Sequence, residues 1–174
     1  MNLSQLNQSS GELLQAELLR CCGSARWVKE LIAGRPYATD VDLFNASDRI
    51  WQSLNSADWL EAFSHHPKIG DLESLKTKFA STSAWASGEQ GGVALASQRV
   101  LEELAAGNKD YEAKFGYIFI VCATGKTASE MLALLQERLN NSPEVEIKMA
   151  MAEQNKITRL RLEKLLGLEK LLGL

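Results

Sequence analysis

Along most of this chain apolar residues return every three or four positions, the period of a helix with one buried face. Leu13, Leu14 and Leu18 open one such stretch, with Glu17 among them. Trp27 to Ile32 makes a short second one, broken by Gly34-Arg35-Pro36. Asp40 to Leu54 predicts a third, with Leu43, Ala46, Ile50 and Leu54 on one side. Trp59 to Phe63 continues briefly and stops at His65-His66-Pro67. Asp71 reads as the N-cap of a helix through Leu72, Leu75 and Phe79. Val93, Ala96, Val100 and Leu104 predict a long helix ending near Gly107 or Phe115. Further helices are expected from Ala128 to Leu139 and from Pro143, a good first helical residue, toward the end.

Two segments break the period. Ser81 to Gly92 is rich in serine, threonine and glycine and reads as loop at its start. Tyr117-Ile118-Phe119-Ile120-Val121 is the one strongly β-like run, and no second strand is evident to pair with it, so an extended buried connector is expected. Leu162-Glu163-Lys164-Leu165-Leu166-Gly167 recurs as Leu168 to Gly173, a short duplication that reads as a tolerated tail. The expectation is an all-α fold: a single compact multi-helix domain over residues 1–166, one extended buried connector, no true sheet, and a tail over 167–174.

Composition narrows the class without naming a function. The chain has 174 residues, 45% hydrophobic and 24% charged, which suits one soluble globular domain. Its net charge is −3, from 19 Lys+Arg against 22 Asp+Glu, and no basic block occurs, which argues against nucleic acid as a partner. No apolar run approaches the roughly 20 residues of a membrane span, and the polar Met1 to Gln8 has no signal-peptide pattern. The 3 cysteines, Cys21 and Cys22 adjacent, make neither a disulfide framework nor a zinc site. A reduced, cytosolic protein with buried thiols is expected.

Few residues are left to carry chemistry. The chain's 2 histidines, His65 and His66, are neighbours before Pro67. Either both cap a helix C-terminus, where the dipole favours an imidazolium, or one is held as a reactive group in the turn. A metal at His65, His66 and Asp71 is rejected, because neighbouring side chains rarely converge on one ion. Glu89-Gln90, just before Gly91-Gly92, places a carboxylate near a helix start, where it complements the dipole or serves a site. Taken at about 100° per residue, the last helix puts Ile147, Ala150, Met151, Gln154, Ile157 and Leu165 on one stripe, with Arg161 near its middle. A guanidinium there needs either a buried ion-pair partner or a ligand. Gly125-Lys126-Thr127 lacks the first glycine of a phosphate loop, since Ile120 stands in its place, and is expected to lead into the next helix. Ser83 and Ser87 lack the setting of a nucleophilic serine.

His66-Pro67-Lys68-Ile69-Gly70-Asp71, Glu89-Gln90, Phe115-Gly116-Tyr117-Ile118-Phe119-Ile120 and Ile157-Thr158-Arg159-Leu160-Arg161-Leu162 occur in this order and together resemble the OHCU decarboxylase family. OHCU is 2-oxo-4-hydroxy-4-carboxy-5-ureidoimidazoline, a late intermediate of uric acid breakdown. The resemblance covers about Leu6 to Leu166. It implies an all-helical, usually dimeric enzyme, free of cofactors, that turns OHCU into (S)-allantoin and carbon dioxide. It implies His66 and Glu89 as catalytic residues. Pro67, Ser87, Gln90 and Arg161 are implied as substrate contacts, with main-chain groups of Ile118, Phe119, Ile120, Val121 and Cys122. One departure is Ala86, where the family often has a serine; Ser87 or a main-chain N–H is the expected substitute.

The chemistry fits an enzyme without a cofactor. Carbon dioxide loss leaves an electron pair, and the conjugated C=N and carbonyl groups of the OHCU ring can accept it, so no external sink is required. An imidazole, with an ordinary pKa of about 6.5, suits removal of the substrate's hydroxyl proton. Glu89 would assist proton delivery to the ring carbon or orient the ureido group. Arg161 serves best beside a carbonyl oxygen where negative charge grows, since gripping the departing carboxylate would stabilise the ground state. The competing readings are a non-catalytic ureide-binding helical module and a hydrolase of an imidazoline ring.

Overall fold

The computed structural model describes residues 1–66, 72–79 and 92–168. These hold helices α1 (Leu3–Gln8), α2 (Gly11–Cys22), α3 (Ala25–Ala33), α4 (Asp40–Ser53), α5 (Ser56–Ser64), α6 (Leu72–Phe79), α7 (Gly92–Phe115), α8 (Ala128–Arg138) and α9 (Pro143–Leu165). No strand occurs among the described residues, and the fold is all-α. No described helix is long and apolar enough to cross a membrane. The chain forms two compact units, residues 1–66 with 150–174 and residues 67–149.

Local chemistry accounts for the helix starts. Asn2, Thr39, Asn55 and Thr127 are N-caps, each in a reciprocal capping box with the residue three positions on. Thr127 thereby opens α8, as Gly125-Lys126-Thr127 suggested. The short α1 lay outside the periodic pattern, because six residues with Leu6 as the buried anchor carry little amphipathic signal. In the first unit α3 packs against α2, α4 and α5. Leu14, Leu18, Trp27, Leu31, Leu43, Trp51, Phe63 and Leu162 are fully buried there. The indole N–H of Trp51 donates to the carbonyl of Met151 at 2.9 Å, tying α4 to α9.

In the second unit α7 packs on α6 and α8 around Leu75, Leu101, Leu104, Tyr111, Met131 and Leu135. Gly107 does not end α7, which runs on to Phe115. Its missing side chain makes room for a neighbour: a Cβ there would lie 2.8 Å from Leu135 Cδ2. The β-like run is an irregular segment between α7 and α8 and is less buried than expected. Ile120 alone of Ile118 to Cys122 is buried and the other four are half-buried.

A polar cluster in this unit was not foreseen. Arg138 and Glu146 are 2% and 0% exposed. Arg138 Nε and Nη2 donate to Glu146 Oε1 at 2.8 and 2.5 Å. The Tyr111 hydroxyl donates to the same oxygen, and Asn141 Nδ2 donates to Glu146 Oε2 at 2.8 Å. Arg138 Nη1 donates to the carbonyl of Ile120 at 2.8 Å, and its guanidinium lies 4.7 Å from the Phe119 ring centre. Burial, with the Glu146 contact second, pushes the Tyr111 phenol far above its ordinary value. The arginine therefore fixes the irregular segment, and the carboxylate and phenol fix the arginine.

Removing one partner of such a pair leaves an uncompensated buried charge. Glu146→Ala or Arg138→Ala is expected to lose about 3–5 kcal/mol in urea denaturation. The double variant Arg138→Met/Glu146→Leu should lose clearly less than the sum of the two.

Candidate active site

The first unit gathers its polar groups where α2 ends. The last carbonyls of a helix have no intrahelical donor. Here Arg161 of α9 donates from Nη1 to the carbonyls of Arg20 and Cys21 at 3.1 and 3.3 Å. Gln154, one face along the same helix, donates from Nε2 to the carbonyl of Cys22 at 3.4 Å and to Thr158 Oγ1 at 3.2 Å. Its Oε1 lies 2.5 Å from Nε2 of His66. Gln154 is fully buried, and His66 is half-buried.

The two neighbouring histidines separate cleanly. His65 is the exposed C-cap of α5; His66, one residue further, turns its ring onto α9. The end of α2 presses directly on this turn. Gly23, the C-cap of α2, has φ of +87°, and a Cβ on it would come 2.9 Å from His65 Cβ and 3.1 Å from the Ala62 carbonyl. Only glycine supplies both the left-handed backbone and the clearance.

The buried face of α9 differs from the expected stripe. Its buried positions are Glu146, Ala150, Gln154, Thr158 and Leu162, continued by Leu166 just beyond its end, while Ile147, Met151, Ile157, Arg161 and Leu165 are half-buried. A wheel centred on Ile157 turned the face by about one residue, because the buried line follows a four-residue spacing. Arg161 therefore lies at the flank of the core. Among the described residues it meets no carboxylate, and the carbonyls of Arg20 and Cys21 accept from its Nη1.

The thiols beside it are unreactive by environment. Burial pushes Cys21 up to about 11, against a smaller opposing pull from Arg161. Burial likewise raises Cys22 to about 12, with hydrogen bonds to Ser24 and Thr158 opposing. Both remain protonated and serve as packing groups. Cys122, expected to be buried as well, is half-buried.

Of the residues expected at the site, His66 and Arg161 belong to this cluster. Ile118, Phe119, Ile120, Val121 and Cys122 belong to the second unit, where the carbonyl of Ile120 accepts from Arg138 and that of Cys122 accepts from Lys126 Nζ at 2.7 Å. Pro67, Ser87, Glu89 and Gln90 lie outside the described residues, as do Ala86, Ser83 and the expected N-cap Asp71. Gln154 was visible only as a member of the wheel; nothing in its spacing marked it as a partner of His66. Arg138 and Glu146 were overlooked, although Met131, Leu135 and Arg138 share a helical face and signalled a buried arginine.

An imidazole oriented by a buried amide, and an arginine on the carbonyls of the same helix end, are equipment for acid–base work on a small polar substrate. The chain belongs to the OHCU decarboxylase family, whose model matches residues 7–163. It is 42% identical over 156 residues to the uric acid degradation bifunctional protein TTL of Arabidopsis thaliana, covering 88% of this chain and 48% of that protein. The chain thus spans about half the length of this curated relative. It is 32% identical over 133 residues to the 2-oxo-4-hydroxy-4-carboxy-5-ureidoimidazoline decarboxylase of Amia calva, covering 75% of this chain and 74% of that one. A crystal structure of OHCU decarboxylase in the presence of (S)-allantoin superposes with a TM-score of 0.71 at 38% identity, covering 91% of this chain and 99% of that one.

The raised thiols give a signed pH dependence. Their ordinary value is 9.0 and their folded values are about 11 and 12. Above pH 9 the unfolded chain ionises them while the folded chain does not, so the stability they lend is whole below that pH and is lost as pH rises through the folded values. Urea denaturation is expected to show stability falling from about pH 9 upward, and Cys21→Ala/Cys22→Ala should flatten that fall.

Proposed function

We propose that this chain is a cofactor-independent carboxy-lyase that converts OHCU to (S)-allantoin and carbon dioxide. The observation that carries the reading is the half-buried His66 ring, held at 2.5 Å by a buried amide in a member of this family. His66 removes the hydroxyl proton at the carbon that bears the carboxylate. As the carbon–carboxylate bond breaks, its electron pair moves into the adjoining C=N system and carbon dioxide departs. The hydroxyl oxygen becomes the carbonyl of allantoin, the former C=N nitrogen takes up the proton that His66 removed, and a second proton is delivered to the ureido-bearing carbon on one face.

Glu89 is assigned to that delivery or to the ureido group, and Gln90, which donates and accepts, to the ring or ureido amide. Pro67, Ser87 and the main-chain groups of Ile118 to Cys122 are assigned as substrate contacts on the family resemblance. Arg161 has five N–H donors, and those of Nη1 face the carbonyls of α2. Its Nε and Nη2 donors are assigned to a substrate carbonyl oxygen that gains charge as carbon dioxide leaves. The protein is assigned to the cytoplasm and to a homodimer, on its composition and its family respectively.

Freshly generated OHCU, followed by ultraviolet absorbance and circular dichroism with carbon dioxide trapped, tests the reading. Faster decay, one carbon dioxide per substrate and a single allantoin enantiomer are expected. Unchanged decay to racemic allantoin would leave a binding protein, and ring opening without carbon dioxide a hydrolase. His66→Ala should lose about 100-fold or more in kcat, the lower end of what a general base supplies, with the circular dichroism of its helices unchanged. Arg161→Lys keeps the charge but loses the fork, and should cost on the order of 10- to 100-fold in kcat/KM. A lower melting temperature at an unchanged rate would instead make Arg161 only the clasp of α2.

A further inference from the structure

Resting on the decarboxylase reading, we propose that Gln154 is a positioning residue that holds His66 as its Nε2–H tautomer, so that Nδ1 is the nitrogen that takes the substrate's proton. The argument begins with the amide. Gln154 is 0% exposed, and its nitrogen and oxygen are told apart by their partners. The carbonyl of Cys22 can only accept, so the NH2 group faces it at 3.4 Å. Thr158 Oγ1, one helical turn on, takes the other N–H at 3.2 Å. Oε1 is then the atom left toward His66, 2.5 Å from Nε2.

A carbonyl oxygen accepts and cannot donate, so the ring nitrogen facing it carries the hydrogen. A neutral imidazole has one donor nitrogen and one acceptor nitrogen. With Nε2 committed as donor, the lone pair of the neutral ring is on Nδ1. Turning the amide over would set its oxygen against the Cys22 carbonyl oxygen and its NH2 against Nε2, losing one bond to favour the other tautomer. The Cys22 carbonyl is part of the end of α2, so a helix terminus bears on the tautomer through the Gln154 amide.

The identity of the amide matters for the chemistry. A carboxylate at position 154 would also accept from Nε2, but it would favour the imidazolium and leave less of the free base at a given pH. A neutral acceptor fixes the ring's orientation and tautomer and leaves its charge free to change during turnover.

Nitrogen-15 NMR of the histidine rings in the whole protein, without substrate, reads the tautomer directly. With His65→Asn removing the other imidazole, the neutral His66 ring is expected with a protonated Nε2 and a pyridine-like Nδ1. Its Nε2 proton should exchange slowly enough to be observed. Gln154→Leu should lose that protected proton and lower kcat by roughly 10- to 100-fold, part of what a general base contributes, with KM little changed. Gln154→Glu should keep the protected proton and move the acid limb of kcat/KM up by about one pH unit or more.

An Nδ1–H ring in the wild-type protein would overturn the proposal. So would a Gln154→Leu variant that keeps the wild-type kcat and the same protected proton. Should that variant fail to fold, the wild-type spectrum decides alone. If the wild-type protein leaves OHCU untouched, the decarboxylase reading fails, and the spectrum still settles which nitrogen carries the hydrogen.

Discussion

The arrangement of the first unit depends on how the end of α2 is satisfied. A helix closes with carbonyls that its own amides cannot reach, and burying them unpaired costs about 1–3 kcal/mol each. Arg20, Cys21 and Cys22 are the last three residues of α2, and α9 supplies donors to all three carbonyls through Arg161 and Gln154. Because Gln154 spends its NH2 group there, its oxygen is turned toward His66. Because Gly23 follows in the left-handed region, the end of α5 can press against it and deliver His66 to that oxygen. One backbone requirement thus ties a helix end, a buried amide and an imidazole into a single connected set.

The same requirement is met elsewhere by cations, with different consequences. Arg35 donates to the carbonyls of Leu6 and Ser9 at the end of α1, and Lys114 to those of Leu139 and Asn141 after α8. Both complement the negative end of a helix, an interaction worth typically 0.3–1 kcal/mol at the surface. Arg138 is a more demanding case, since it is buried and serves the carbonyl of Ile120 in a segment with no helix of its own. It is held there by the Glu146 carboxylate, which in turn receives the Tyr111 hydroxyl and the Asn141 amide. An irregular backbone is kept in one conformation by a fully bonded ionic cluster.

Much of the fold was legible because it follows local rules. Pro143 opens α9, Thr127 caps α8, and Gly34-Arg35-Pro36 ends α3, each for a reason contained within a few residues. The short α1 was missed because its signal is a capping box, Asn2 with Gln5, and not a periodic face. Motif resemblance singled out His66 and Arg161, and the structure adds what spacing could not: the exposed cap is His65, the ring held from below is His66, and the arginine is anchored on carbonyls. The face of α9 was misplaced because its buried positions recur every four residues, a line that drifts from a stripe drawn at about 100° per residue around Ile157. Arg138 and Glu146 escaped because their pairing joins the end of α8 to the first turn of α9, and a wheel drawn on either helix alone sees only half of it.

The two buried polar clusters differ in one respect that decides what each can do. Glu146 is a carboxylate, and a carboxylate bonded to a guanidinium, a phenol and an amide holds its neighbours in a fixed charge state. Such a cluster stiffens the segment it grips. Gln154 is neutral, bonded to a carbonyl, a hydroxyl and an imidazole, so it constrains position without constraining charge. An imidazole that serves as a general base must lose and regain a proton, and a charged partner would stabilise one of its two states at the expense of the other. The same economy of buried hydrogen bonds therefore yields an ionic clamp where the acceptor is a carboxylate and a neutral hold on an imidazole where it is an amide.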